Sequence, residues 1–202
     1  VEELPKQFRL LEDNGILELS KKIEHQDSAS LLYLQGLQTE SITNNEIEKA
    51  YFILASQILA PYTFNLLRTE KQLGYMVGGG YMPISNIPGL AVYVQSHDYS
   101  SERLTSELHD CLLNFIDELE SLSLEDFERH KSAVIMQYKE KPTNLAQQSQ
   151  QLWVAISNKD YQFNQKDKIV NELLGLTKQH MIGWYSALFS PLLNKGILVN
   201  SK

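Results

Sequence analysis

Apolar residues change their period twice along the first hundred positions. Residues 16–23 and 29–36 alternate, with Leu17 and Leu19, then Leu31 and Tyr33, two apart; this predicts two strands, with His25-Gln26-Asp27-Ser28 as a turn between them. From Ile47 the period becomes helical, through Tyr51, Leu54 and Ile58, and Ser41-Ile42-Thr43-Asn44-Asn45-Glu46 supplies capping residues ahead of it. Pro61 has no backbone donor, so a kink or restart is expected there. Gly74 stands where a helix ends or the chain turns. Residues 75–82 and 89–96 then read as paired strands, joined by a loop holding Pro83, Asn86 and Pro88.

The second half is helical. Leu104, Leu108, Cys111, Leu112, Phe115 and Leu119 form a stripe three or four residues apart, with Glu107, Asp110, Asn114 and Glu118 opposite. Leu124, Phe127, Val134, Ile135 and Tyr138 mark a further helix ending near Pro142. Another covers about 143–158, and a last pair covers about 166–190 and breaks at Pro191. Gly196-Ile197-Leu198-Val199 closes the chain as a strand at 195–200. Strands come first and helices later, with hairpin-like pairing and few βαβ units. The expected fold class is therefore α+β, a mostly antiparallel sheet with helices packed on one face. No internal repeat or low-complexity linker interrupts residues 1–202, which are read as a single domain.

Composition changes this picture little. The chain is 43% hydrophobic and 21% charged, enough apolar material for a core and unlike a disordered segment. The net charge of -7 comes from 25 acids against 18 bases, with no Lys/Arg cluster, which argues against nucleic acid as a partner. No uninterrupted apolar run reaches the roughly 20 residues of a membrane helix, so no membrane partner is expected. Val1-Glu2-Glu3-Leu4-Pro5 reads like the interior of a longer product, and the chain is expected to be a fragment. Cys111 lies on an apolar helix face and is expected to be a buried, inert thiol.

Candidate chemistry is sparse. A zinc-protease helix carries two histidines one turn apart with a carboxylate beside one, as in H-E-x-x-H or H-x-x-E-H. The histidines at 25, 97, 109, 130 and 180 never show that spacing, and His109-Asp110 and Glu128/His130 offer too few ligands, so no metal is expected in this chain. A G-x-S-x-G elbow is missing too. Gly78-Gly79-Gly80 is followed by Tyr81-Met82-Pro83 rather than Lys-Ser/Thr, which excludes a phosphate loop. Two readings of the glycines stand: a flexible or bulged strand that another backbone approaches closely, or a strand distortion without function.

One segment is specific. Leu67-Arg68-Thr69-Glu70-Lys71-Gln72-Leu73-Gly74-Tyr75 resembles the L-R-T-x-x-Q-L-G-Y motif in the last domain of the pitrilysin/insulinase family of zinc metallopeptidases. The likeness extends upstream to Asp27-Ser28-Ala29 and to Ile58-Leu59-Ala60-Pro61-Tyr62-Thr63-Phe64-Asn65. Downstream it takes in Gly89-Leu90, Val94-Gln95-Ser96, the run Phe163 to Val170, and Leu176-Thr177, nearly the whole chain. Where relatives often carry bulkier residues after the motif, this chain has its three glycines.

The resemblance implies a clamshell peptidase of four homologous domains, whose N-terminal half holds zinc in H-x-x-E-H. This chain corresponds to the fourth domain, which keeps the fold without the ligands and takes no cofactor of its own. Its implied partners are peptide substrates and the N-terminal half of the same protease. By position, Arg68 and Tyr75 are the implied substrate-binding residues, Tyr75 also stabilising the transition state. On bare sequence, Arg68 as a surface ion-pair residue near Glu70 and Tyr75 as a packed strand aromatic are the competing readings. An inactive core-type interaction subunit and a processing peptidase for a peptide-derived cofactor share the same architecture. The resemblance suggests the periplasm, with the cytoplasm of eukaryotic relatives as the alternative.

Overall fold

The computed structural model describes residues 15–36, 46–84, 87–157, 161–188 and 195–201. Strands β1 (Gly15–Lys21) and β2 (Ser28–Gln35) come first, followed by helix α1 (Glu46–Thr63) and a π-helical segment, Phe64–Glu70. Strands β3 (Met76–Tyr81) and β4 (Gly89–Ser96) form a hairpin. Helices α2 (Ser101–Ser121), α3 (Leu124–Lys139), α4 (Leu145–Ser157), α5 (Gln165–Gly175) and α6 (Lys178–Leu188) precede β5 (Lys195–Ser201). The predicted capping stretch 41–45, Asn86 and Pro191 lie outside the described residues.

The sheet runs β1-β5-β2-β4-β3, antiparallel except between β1 and β5. The mostly antiparallel α+β architecture expected from the sequence is the one observed. Its first pairing differs. Strands β1 and β2 are not hydrogen-bonded to each other; β5 lies between them. β5 buries Leu198, whereas the residues of β1 from Ile16 onward are exposed, so the better-covered strand takes the inner place. Residues 22–27 can step across the roughly 10 Å that an inserted strand requires.

Alternation decides which face is covered. Leu90, Val92 and Val94 of β4 and Leu32 and Leu34 of β2 enter the core, beneath α1 and α2. Leu17, Leu19, Tyr93 and Val199 stay exposed on the sheet. The predicted α2 stripe is completely buried from Leu104 to Leu119. Glu107, placed on the polar face by its spacing, is buried as well, because Lys71 and Arg103 neutralise it there. Burial pushes the Cys111 thiol up to about 12, which leaves it unreactive.

Helix α1 departs from its reading in two ways. Of the four expected positions Leu54 and Ile58 are buried, Tyr51 is partly buried and Ile47 is exposed, while Ala50, Phe52, Ile53, Ala55 and Leu59 are buried beside them. The helix continues through Pro61 to the fully buried Thr63 and turns π-helical from Phe64 onward. Glu46–Glu70 is therefore one helix of 25 residues, long and apolar enough to cross a membrane by length and composition. Half of that apolar window is buried, against the sheet and α5, which is the setting of a core helix.

Two glycines test this packing. A Cβ on Gly74 would stand 2.0 Å from the Gln95 carbonyl oxygen, on backbone that cannot swing aside, while Gly183 in α6 has nothing within 4 Å. Gly74→Ala is expected to destabilise the protein by about 2–3 kcal/mol, the scale of overpacking. Gly183→Ala is expected to stabilise it by about 0.5–1 kcal/mol through helix propensity. Urea unfolding of both variants checks the signs.

Candidate functional site

The segment from Phe64 to Tyr75 is shaped by two anchors and two unusual backbone positions. Leu67 and Leu73 are buried in the core and hold the segment down. Between them the helix widens: Lys71 N–H donates to the Leu66 carbonyl at 2.9 Å, and Leu73 N–H to the Leu67 carbonyl at 2.9 Å. Gln72 turns the chain with φ 50°, in the left-handed region that costs a non-glycine residue about 1 kcal/mol or more. The turn expected at Gly74 is thus made two residues earlier. What Gly74 provides is contact, its backbone lying directly on the Gln95 carbonyl of β4.

That contact delivers Tyr75 to the start of β3 with its side chain 81% exposed. Tyr75 is not a packed strand aromatic. Its ring lies under Arg68, whose guanidinium carbon is 4.7 Å from the ring centroid. Arg68 Nη1 donates to the Tyr75 carbonyl oxygen at 2.6 Å, and the guanidinium also sits 5.4 Å from the Phe64 ring centroid. Arg68 makes no ion pair with Glu70, which accepts a hydrogen bond from Asn65 instead. The structure therefore brings the two predicted residues together, in a stack of Phe64, Arg68 and Tyr75.

Beside the stack opens a cavity of about 460 Å³, lined by Arg68, Gln72, Gly74, Tyr75 and Met76 on one side and Asp27 with residues 95–98 on the other. Asp27 accepts from Gln95 Nε2 at 2.8 Å and pairs with His97 Nδ1 at 3.0 Å. The Gln95 bond first, and then His97, hold the Asp27 carboxyl below its usual range. The Asp27 carboxylate thus holds the His97 ring through Nδ1 and fixes its orientation at the cavity wall. The cavity thus offers a phenolic O–H, the remaining guanidinium N–H groups and an oriented imidazole, a set of hydrogen-bonding groups for a polar ligand.

Sequence reasoning missed Phe64 and the Asp27–Gln95–His97 cluster as site residues. Asp27, Phe64 and Gln95 fall inside strings that carry the family resemblance, so a signal existed. What it lacked was the fold, since β4 is the strand that carries Gln95 to both Gly74 and Asp27. The Gly78-Gly79-Gly80 run is a regular strand, paired with β4 without a bulge, and Gly78 makes room for the Tyr93 ring. Among the described residues, no group of three His, Cys, Asp or Glu side chains is placed to hold a metal ion. The donor set here does not fit zinc.

Comparison with known proteins places this geometry. A family model described as PQQ synthase PqqF-like, C-terminal lobe domain 4, matches residues 54–153. Insulin-degrading enzyme of Drosophila melanogaster is 29% identical over 89% of this chain and 18% of its own length. A nardilysin-like protein of Arabidopsis thaliana is 29% identical over 88% of this chain and 16% of its own. The crystal structure of pitrilysin shares the fold, with a TM-score of 0.81 at 24% identity, over 93% of this chain and 20% of that one. The fold is that of a metallopeptidase-type α+β domain. Over most of its length the chain is similar to proteins of the pitrilysin/insulinase family, and residues 54–153 correspond to a domain of a C-terminal lobe. It spans less than a fifth of the length of these curated relatives.

Two measurements follow from the site. After dialysis the chain is expected to retain no stoichiometric zinc; one tightly held zinc per chain by metal analysis would contradict the donor geometry. Glu107, which ties Lys71 of the motif segment to α2, is held below the ordinary carboxylate range by the Lys71 hydrogen bond, against burial, with help from Arg103. Its contribution is present above the unfolded carboxylate value of about 4.3 and is lost as pH falls through the lowered folded value. Glu107→Gln is therefore expected to lose stability at neutral pH and to show a shallower acid limb in urea unfolding. A variant whose acid limb matches the parent would remove this role.

Proposed function

We propose that this chain is the substrate-holding domain of a longer zinc endopeptidase, supplying hydrogen bonds to a peptide enclosed against the metal-bearing half. The observation that carries this reading is the posture of Tyr75, exposed at the mouth of the cavity yet fixed by Arg68 through both ring and carbonyl. An aromatic residue held open to solvent by a stacked cation is poorly explained by packing alone.

Peptide hydrolysis builds negative charge on the scissile carbonyl oxygen. A preorganised donor aimed at that oxygen is worth more in the transition state than in the ground state. The Tyr75 hydroxyl is such a donor. Arg68 has a double duty: it orients Tyr75 while its free N–H groups clamp a substrate carbonyl with a rigid planar fork. Metal chemistry would belong to another part of the longer protein, and domain closure would join the two.

Tyr75→Phe in the longer protease removes one hydrogen bond and keeps the ring under Arg68. The expected loss is about 10²–10³-fold in kcat with little change in KM. Arg68→Ala removes clamp and support together, so both kcat and KM are expected to worsen. A folded Tyr75→Phe enzyme with parental kcat would overturn the assignment and leave the motif a structural role.

A further inference from the structure

Strand β3 is a sheet edge: among the described residues it pairs with β4 alone. The hydrogen-bond register fixes which groups that edge presents. Met82 N–H donates to the Gly89 carbonyl at 2.9 Å, so Met82 and Gly89 form a hydrogen-bonded pair of the antiparallel ladder. Counting back by twos along the register, Gly80, Gly78 and Met76 also turn their N–H and C=O groups toward β4. The N–H and C=O groups of Val77, Gly79 and Tyr81 therefore point away from the sheet, in a row with a spacing of about 6.8 Å.

Protein edges are usually guarded by charge, proline or a bulge. The opposite edge, β1, carries Glu18 and Lys21. β3 reads Met-Val-Gly-Gly-Gly-Tyr, has none of these guards, and keeps an unbroken register with β4. Gly79 sits at the middle of the outward row, with Gly78 and Gly80 beside it, so no Cβ crowds an approaching main chain. The strand begins one residue after Tyr75, at the cavity that Met76 helps to line.

We infer that this edge is a peptide-binding surface: an extended peptide adds as a strand outside β3, pairing with Val77, Gly79 and Tyr81 and continuing into the Arg68–Tyr75 cavity. The inference rests on the proposal that substrate lies at that cavity, and it adds the substrate class. The occupant is an unstructured segment with free main-chain N–H groups, recognised by backbone pairing and so with little dependence on side chains over the glycine run. A row of alternating donors and acceptors at strand spacing complements an extended main chain and no other common ligand.

The test uses a short fluorescein-labelled peptide of alternating threonine and valine with lysine at each end. Fluorescence anisotropy measures binding to the chain, and NMR-detected amide exchange measures protection. Addition of peptide should slow exchange at the Val77, Gly79 and Tyr81 amides. Methylating the peptide's main-chain nitrogens on the pairing edge should abolish both binding and protection. Val77→Pro deletes an outward N–H without touching the β4 ladder and should weaken binding by about tenfold or more. Three results would overturn the inference: no binding; protection confined to the cavity residues; or protection that rises with protein concentration in the absence of peptide, which would make the edge a contact between two copies. Failure here is separable from failure of the catalytic reading. Unprotected edge amides beside a Tyr75→Phe enzyme with reduced kcat would remove the edge alone, and the converse pair of results would remove Tyr75 alone.

Discussion

The site depends on one close approach, that of the Gly74 backbone to the Gln95 carbonyl. With any side chain at position 74 the segment would stand off from β4. Tyr75 would then leave the sheet edge, and the cavity between the motif and residues 95–98 would change shape. Leu67 and Leu73 supply the hydrophobic force that presses the segment inward, and the widened helical turn between them adjusts its length. Gln72 bears the local strain that this arrangement demands. A strained residue fixed by buried neighbours on both sides can orient a side chain without moving at each encounter.

Arg68 shows how one residue joins structure to chemistry. The guanidinium spends one N–H on the Tyr75 carbonyl and its flat faces on two aromatic rings, which leaves further N–H groups for a ligand. Lysine could not reproduce this, because an ammonium has neither a planar face to stack nor a fork to divide between partners. On the opposite wall, Asp27 fixes the His97 ring through one nitrogen.

Much of the fold was legible because period and burial agree. The α2 stripe, the β3–β4 hairpin and the late helices all follow from the spacing of their apolar residues. The sequence misled where a long-range partner decided the outcome. Glu107 has the spacing of a solvent-facing residue and is buried because Lys71 reaches it from another element. β1 and β2 are adjacent in the chain but separated in the sheet, since a strand from the far end fits between them. At the site, Arg68 and Tyr75 were found through a motif, and their mutual stacking required the turn geometry. His97 had no local signal, because its meaning comes from Asp27, seventy positions earlier.

The inner position of β5 sets an order of events. β2 is flanked by β4 on one side and β5 on the other, and among the described residues β1 is held to the sheet only through β5. As the chain leaves the ribosome, the β2–β4–β3 portion and the helices above it can form first. β1 must wait until residues 195–201 arrive, and closing so long a loop is slow. Through that interval β2 keeps an open edge where β5 will later sit. A nascent or truncated chain is thus exposed to capture by a foreign strand at a place that the finished molecule seals.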